Sequence, residues 1–324
     1  MSNSLTGSVH SLYSKLPAGL KDNLRPLVYQ LRPLFSKWKR ASSLSLAQKA
    51  EWEKRGFLVL EKFYSDEEVD RINNFIDELW ATRKDNPDSP LALDCFLNTE
   101  NSQRLMLTHA PDEARDTLYK LYDLYLEYEH IRQFVCSPRM HDILWALLGE
   151  EPIICNTINF ERGSGQELHF DTWYMAPPKE AQLIATWAAL EDISPEAGAL
   201  RYVPGSHKIK PYIFNKSGCT VASYEELPQA VDYVNEEIER LGLQEETFIA
   251  NKGDVLIWHA QLLHGGSPVK DPSLTRRSLV THFWRRCDIP ENSQRFDNSQ
   301  LCYLHRPHQV PQYMEKQISG GNAS

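Results

Sequence analysis

The chain has 324 residues, is 41% apolar and carries a formal net charge of −9. That length is enough for one large β-rich unit of roughly 200–250 residues with additions at its ends, and the acidic balance argues against a general nucleic-acid binder. Six cysteines (Cys95, Cys136, Cys155, Cys219, Cys287, Cys302) include no C-x-x-C pair, which suits neither a zinc knuckle nor a small disulfide scaffold.

The first 45 residues hold seven basic side chains (Lys15, Lys21, Arg25, Arg32, Lys37, Lys39, Arg40) against Asp22 alone, so this arm carries +6 and the other 279 residues −15. No charged leader followed by an apolar stretch opens the sequence, and no run of about 18 apolar residues occurs in it, so a reduced, cytoplasmic protein is expected. Leu20, Leu24, Leu27, Val28, Leu31, Leu34, Phe35 and Trp38 recur at helical spacing, with Pro26 and Pro33 placed to kink the segment. A basic amphipathic stretch over 20–38 either packs on the protein's own body, the reading that amphipathicity alone favours, or makes peripheral contact with an anionic membrane or a partner.

A short helix over 46–55 ends at Gly56, and a strand follows over 57–60. Ser65-Asp-Glu-Glu68 is an N-cap with acids in the first turn, opening a helix to about Lys84. Residues 85–110 and 208–228 are long for ordinary connections and are candidate lids. Helical patterns return near 112–135, and Ser137-Pro138 opens a helix that stops at Gly149. After Pro152 the texture changes to short apolar or alternating runs over 153–161, 183–190, 200–203, 248–250, 255–258 and 278–283. Gly, Pro, Asp and Ser punctuate them, which predicts an all-β sandwich or barrel interrupted by one helix over 225–241. The expected organisation is an arm (1–45), a domain over 46–290 with a helical part (46–150) and a β core (151–290), and a C-terminal tail (291–324).

The chemistry-bearing residues cluster in the β-rich half. His169-Phe170-Asp171 places a histidine and an aspartate at i and i+2, on one face of a strand. His264-Gly265-Gly266 offers a second imidazole where glycines let backbone pass close. Two imidazoles and one carboxylate leave open positions on non-haem iron, and zinc in hydrolases takes the same set. His259, five residues before His264, is its rival, although a place in the pocket wall suits it better. Arg276 and Ser278 share a strand face, and an arginine fork beside a hydroxyl is a receptor for a carboxylate. Arg277, the rival of Arg276, falls on the opposite face. His282 alternates with Arg276 and so can approach the cavity, although a structural role is the favoured reading. Phe160, Trp173, Tyr174, Met175 and Trp284 lie near these motifs and either line an apolar pocket or belong to the core.

His169-x-Asp171, Trp187-Ala-Ala-Leu190-Glu-Asp192, Pro204-Gly-Ser-His207, Gly253-Asp254, His264-Gly-Gly and Arg276-x-Ser278 occur in the order found in the phytanoyl-CoA dioxygenase family, which the chain resembles over about residues 50–285. The resemblance implies an α+β fold with a mainly β core, a double-stranded β-helix (jelly-roll, cupin-like) carrying helices from the N-terminal half. It implies iron(II) held by His169, Asp171 and His264, with 2-oxoglutarate and O2 as co-substrates. By the same resemblance Arg276, with Ser278 beside it, holds the far carboxylate of 2-oxoglutarate, Asn159 contacts the co-substrate and Trp187 forms pocket wall. Trp173, Tyr174 and His259 are candidate substrate contacts. The implied reaction hydroxylates a C–H of a small organic molecule and releases succinate and CO2. A carboxylate at 171, where halogenating relatives carry a small residue, favours hydroxylation. Two alternatives stand beside it: a non-catalytic metal- or ligand-binding protein on the same fold, and a membrane-associated oxygenase acting on a lipid-linked substrate.

Overall fold

The computed structural model describes residues 43–97, 102–179 and 181–311. The arm segment over 20–38 and the chain beyond 311 lie outside the described residues. Helix α1 (Leu46–Arg55) starts with a capping box. The Ser45 hydroxyl accepts from Gln48 N, and Gln48 Oε1 accepts from Ser45 N. Gly56, at φ 81°, ends it in the left-handed region and turns the chain into β1 (Phe57–Leu60). Ser65 and Glu68 repeat the box at α2 (Asp66–Thr82), which buries a stripe of Val69, Ile72, Ile76 and Trp80.

Two antiparallel sheets face each other as a jelly roll. The larger runs in the order β1, β9 (Val255–His259), β6 (Leu183–Ala189), β11 (Ser278–Arg285), β5 (Pro152–Phe160), β4 (Lys120–Tyr122), β2 (Ala92–Cys95), β3 (Gln103–Met106). The smaller comprises β10 (Leu263–Gly266), β7 (Leu200–Val203) and β8 (Glu246–Phe248). Strand alternation gives the larger sheet two different faces. Val255, Ile257, Leu279 and Phe283 point back and pack under α2 in the main core. Leu256, Trp258, Val280, Trp187 and Ala185 point forward, toward Tyr202 and Leu200 of the smaller sheet. The site lies on this forward face. Among the described residues no helix is long and apolar enough to cross a membrane.

Several segments differ from expectation. The described parts of 85–110 hold strands rather than plain loop: β2 and β3 pair with each other, β2 pairs with β4, and Leu91 and Leu93 are fully buried. The helical pattern near 112–135 gives way at its start to a 3-10 turn (Asp112–Asp116) and β4. Helix appears only as α3 (Leu124–Glu127) and α4 (Glu129–Val135), because pairing of Leu121 with Leu93 and Asn159 overrides local propensity. The helix after Ser137 forms as expected (α5, Pro138–Leu148), as does the late one (α6, Leu227–Leu241).

The stretch after residue 290 is also more than a tail. Strands β12 (Gln294–Phe296) and β13 (Cys302–Leu304) pair with each other, and Tyr303 pairs with Ile154 of β5. Buried ion pairs fasten this segment. Arg132 Nε donates to Asp297 Oδ2 at 3.2 Å, and Arg306 Nη2 donates to Asp123 Oδ1 at 2.7 Å. Both carboxylates are fully buried. Breaking a buried pair by deleting one partner costs about 3–5 kcal/mol. Asp297→Ala is expected to lower the urea-derived unfolding free energy by about that amount, and a loss below about 1 kcal/mol, the value of an exposed pair, would show that the segment is not fastened this way.

Candidate metal centre

His169 and His264 face each other across an isolated antiparallel bridge. His169 N donates to His264 O at 2.9 Å, and His264 N donates to His169 O at 3.1 Å. This doubly hydrogen-bonded pair sets the two imidazoles side by side, with ring centroids 4.5 Å apart. The approach needs glycine. A Cβ on Gly265 would sit 2.6 Å from the Gln166 carbonyl oxygen, and one on Gly266 would sit 2.6 Å from Ser164 Oγ.

Each imidazole is oriented from behind. Nδ1–H of His169 donates to Glu167 O at 2.8 Å, and Nδ1–H of His264 donates to Leu262 O at 2.9 Å. Both Nε2 lone pairs are thereby left for a ligand. Asp171 does not continue a strand; it opens a single 3-10 turn (Asp171–Trp173) that swings its carboxylate toward the histidines. The ligand atoms of His169, Asp171 and His264 all lie within 4.8 Å of one another, and all three residues are buried. Burial, then the neighbouring His264, pushes His169 down to about 3, so its imidazole is neutral at ordinary pH. For Asp171, burial opposes ionisation, but the His264 and His282 imidazoles outweigh it and hold the carboxyl below the usual range. Neutral imidazoles and an ionised carboxylate are the forms that bind metal.

Behind this cluster lies a recess walled by Ile158, Phe160, Trp187, Leu200 and Val280, with Arg276 at its far end. Arg276 is 2% exposed; its Nη1 donates to Gly198 O at 3.0 Å, and its buried Nε has no partner among the described residues. Its guanidinium lies 5.7 Å from the Phe160 ring and 5.8 Å from that of Trp187. Burial lowers it to about 10, which leaves it cationic at neutral pH. Ser278, fully buried and on the strand face shared with Val280 and His282, also has an unpartnered hydroxyl. Arg277 faces the other way, into a network with Glu161 and Asp77, so the arginine aimed into the recess is Arg276.

Three expected contact residues lie off the lining of the recess. Asn159 points away from the recess, which its neighbours Ile158 and Phe160 line. Its Nδ2 donates to Ser278 O, and its Oδ1 accepts from Tyr119. The offset is one residue, which in a strand reverses the face. Trp173 packs with Phe170, Val203, Phe214 and Leu263 in a separate apolar cluster. His259 lies behind Trp258, on the opposite strand face, between the rings of Trp52 and His207. Burial, then His207, lowers it to about 4. Tyr174 does sit at the site: half exposed, it meets the His169 ring edge-on at 5.3 Å. Trp187 lines the recess. The 208–228 segment packs against the turn after Asp171, its Ala222 N donating to Trp173 O.

Sequence reasoning missed Lys120, Gln166 and Trp258, which line the recess together with His282. Lys120 Nζ donates to Gln166 Oε1 at 2.8 Å, and Gln166 Nε2 lies 3.3 Å from His169 Nε2, a contact that a metal would displace. Burial lowers the Lys120 ammonium below its ordinary range. These residues come from separate segments with no shared motif. The one available signal, for His282, was the alternation Arg276, Ser278, Val280, His282 leading into and along β11.

A family profile described as phytanoyl-CoA dioxygenase (PhyH) matches residues 52–278. Human peroxisomal phytanoyl-CoA dioxygenase is 26% identical over 256 residues, spanning 74% of this chain and 68% of that protein. A probable alpha-ketoglutarate-dependent hypophosphite dioxygenase of Stutzerimonas stutzeri is 23% identical over 239 residues, 72% of this chain and 76% of its own length. Among solved structures, the non-haem alpha-ketoglutarate-dependent carbocyclase SnoK from nogalamycin biosynthesis superposes with a TM-score of 0.59 at 14% identity, covering 85% of this chain and 92% of the other. Apo EctD from S. alaskensis gives 0.54 at 17% identity, covering 83% and 84%. At these identities the likeness to the solved structures is one of fold.

The geometry separates the rival histidines. His264→Ala is expected to abolish stoichiometric iron(II) binding in an anaerobic titration, while His259→Ala leaves it intact; the reverse pattern would contradict the placement of the two residues.

Proposed function

Since the chain belongs to the phytanoyl-CoA dioxygenase family of iron- and 2-oxoglutarate-dependent dioxygenases, we propose that it hydroxylates an unactivated C–H bond of a small organic substrate, with succinate and CO2 as co-products. The observation that carries the reading is a buried arginine with no anion, at the end of a recess whose other end is a two-histidine, one-carboxylate cluster. A buried cation left unpaired is costly, and a dicarboxylate reaching from metal to Arg276 would pair it. A hydrolytic zinc site gives Arg276 no such task.

The residues divide the work. His169 and His264, through Nε2, and Asp171, through a carboxylate oxygen, would hold iron(II), a ligand set that leaves positions open for co-substrates. Arg276 takes the distal carboxylate of 2-oxoglutarate, with the Ser278 hydroxyl within the same strand face. Phe160, Trp187 and Val280 exclude water along the chain of the co-substrate. Lys120, beside Gln166 and His169, places a second cation near the keto-acid end. When bound, iron with 2-oxoglutarate and O2 supplies the oxidising chemistry, and the protein's part is to position and to keep water out. Tyr174, at the mouth, is the substrate contact of choice.

The relatives' names range over an acyl-CoA and hypophosphite, and structures of this fold include a carbocyclase and an epimerase. Neither the substrate nor the outcome at its C–H is therefore dictated by membership. Hydroxylation is favoured by Asp171, which fills the position a halide would need. The intact set of metal and carboxylate receptors leaves a non-catalytic binding protein without a supporting observation.

Arg276→Ala is expected to weaken 2-oxoglutarate by about 2–5 kcal/mol, as loss of a buried charge partner does, with iron(II) affinity unchanged. Arg277→Ala is expected to leave the KM for 2-oxoglutarate unchanged and lower stability instead. Equal KM effects from the two substitutions would overturn the assignment.

A further inference from the structure

The larger sheet presents one cross-strand row beneath the Asp171 carboxylate. Its members are Asn156 on β5, His282 on β11, Ala185 on β6 and Trp258 on β9, set in line by the registers His282 with Asn156, His282 with Ala185, and Ala185 with Trp258. Directly opposed residues of antiparallel neighbours share a face, so the row looks toward the recess. Ala185 supplies only a methyl between two rings, and Asp171 reaches into that notch. Trp258 Nε1 donates to Asp171 Oδ2 at 2.7 Å, and His282 Nε2 lies 3.3 Å from Oδ1. Oδ1 is also the oxygen that faces His264 Nε2, at 3.5 Å.

We infer that His282 is a positioning residue: with its proton on Nε2 it donates to Asp171 Oδ1 and, with Trp258 on Oδ2, fixes the plane of the carboxylate so that one oxygen only is offered to iron. The inference rests on the iron reading above. A carboxylate free to turn about its last bond can present either oxygen or both, and a second bound oxygen would take a position that the co-substrate needs. One N–H on each oxygen removes that freedom. The proton belongs on Nε2 because the carboxylate is there to accept it, whereas the buried Nδ1 has no partner among the described residues. His282 adjoins the metal cluster without completing it, since the mutually close ligand atoms belong to His169, Asp171 and His264. Groups that hold a ligand from behind are commonly worth about 10–100-fold in metal affinity.

The test uses the full chain, with iron(II) and cobalt(II) as probes under anaerobic conditions and folding checked by near-UV circular dichroism. His282→Phe keeps a ring and deletes the donor; it is expected to weaken iron(II) binding by about 10–100-fold and to alter the visible spectrum of the cobalt(II) form. His282→Gln restores an N–H at similar reach and is expected to recover most of the affinity and the wild-type spectrum. Ala185→Val, which fills the notch, is expected to repeat the phenylalanine result and keeps the test open if His282→Phe does not fold. Wild-type affinity and spectrum in both His282→Phe and Ala185→Val would overturn the inference. A glutamine variant as impaired as the phenylalanine one, with a changed cobalt spectrum, would make His282 a fourth ligand and overturn it equally. Failure of the unaltered chain to bind iron(II) at all would instead remove the reading on which the inference stands.

Discussion

The site depends on one backbone interaction, the two-bond bridge between His169 and His264. These residues are 95 positions apart, and neither imidazole has a reason to meet the other except that their main chains pair. A hydrogen-bonded antiparallel pair leaves side chains adjacent on one face. Gly265 and Gly266 permit the approach, because any Cβ there would strike the 164–166 segment. Carbonyls of Glu167 and Leu262 then fix both tautomers. The metal cluster is thus set by main-chain geometry before any side chain chooses a rotamer.

The second constraint is the separation of charge across β11. Arg277 and Arg276 are neighbours in sequence and opposites in environment. The first is neutralised by Glu161 and Asp77 on the helical side of the sheet. The second is sealed among Phe160, Trp187 and the Gly198 carbonyl with no anion. Folding must bear the cost of that bare cation. The buried stripe of α2, the paired strands β2 to β4 and the fastened β12–β13 segment supply the packing that offsets it.

Much of this was legible in the sequence, and for physical reasons. His169, Asp171, His264 and Arg276 sit in short motifs whose glycines and alternation are visible without coordinates, and strand alternation alone chose Arg276 over Arg277. What was not legible depends on pairing between distant strands. Asn159 was set on the recess face, but the register turns Ile158 and Phe160 there. His259 looked like pocket wall because its strand end is near the metal; Trp258 takes that place and His259 faces α1. The alternation with Arg276 brings His282 toward the cavity, but that it lies against Asp171 follows only from the registers of three strands. The 85–110 stretch read as a loop because its strands are four residues each and gain their stability from β4 and β5.

On the proposed function, the His169, Asp171, His264 cluster and Arg276 form one receptor, binding iron(II) at one end and 2-oxoglutarate across to the other. Anaerobic addition of 2-oxoglutarate to the iron(II)-loaded chain tests it most directly through the weak visible charge-transfer absorption of a chelated keto-acid. The band is expected with 2-oxoglutarate and not with succinate, which lacks the keto group. Stoichiometric iron binding with no band at saturating 2-oxoglutarate would contradict it.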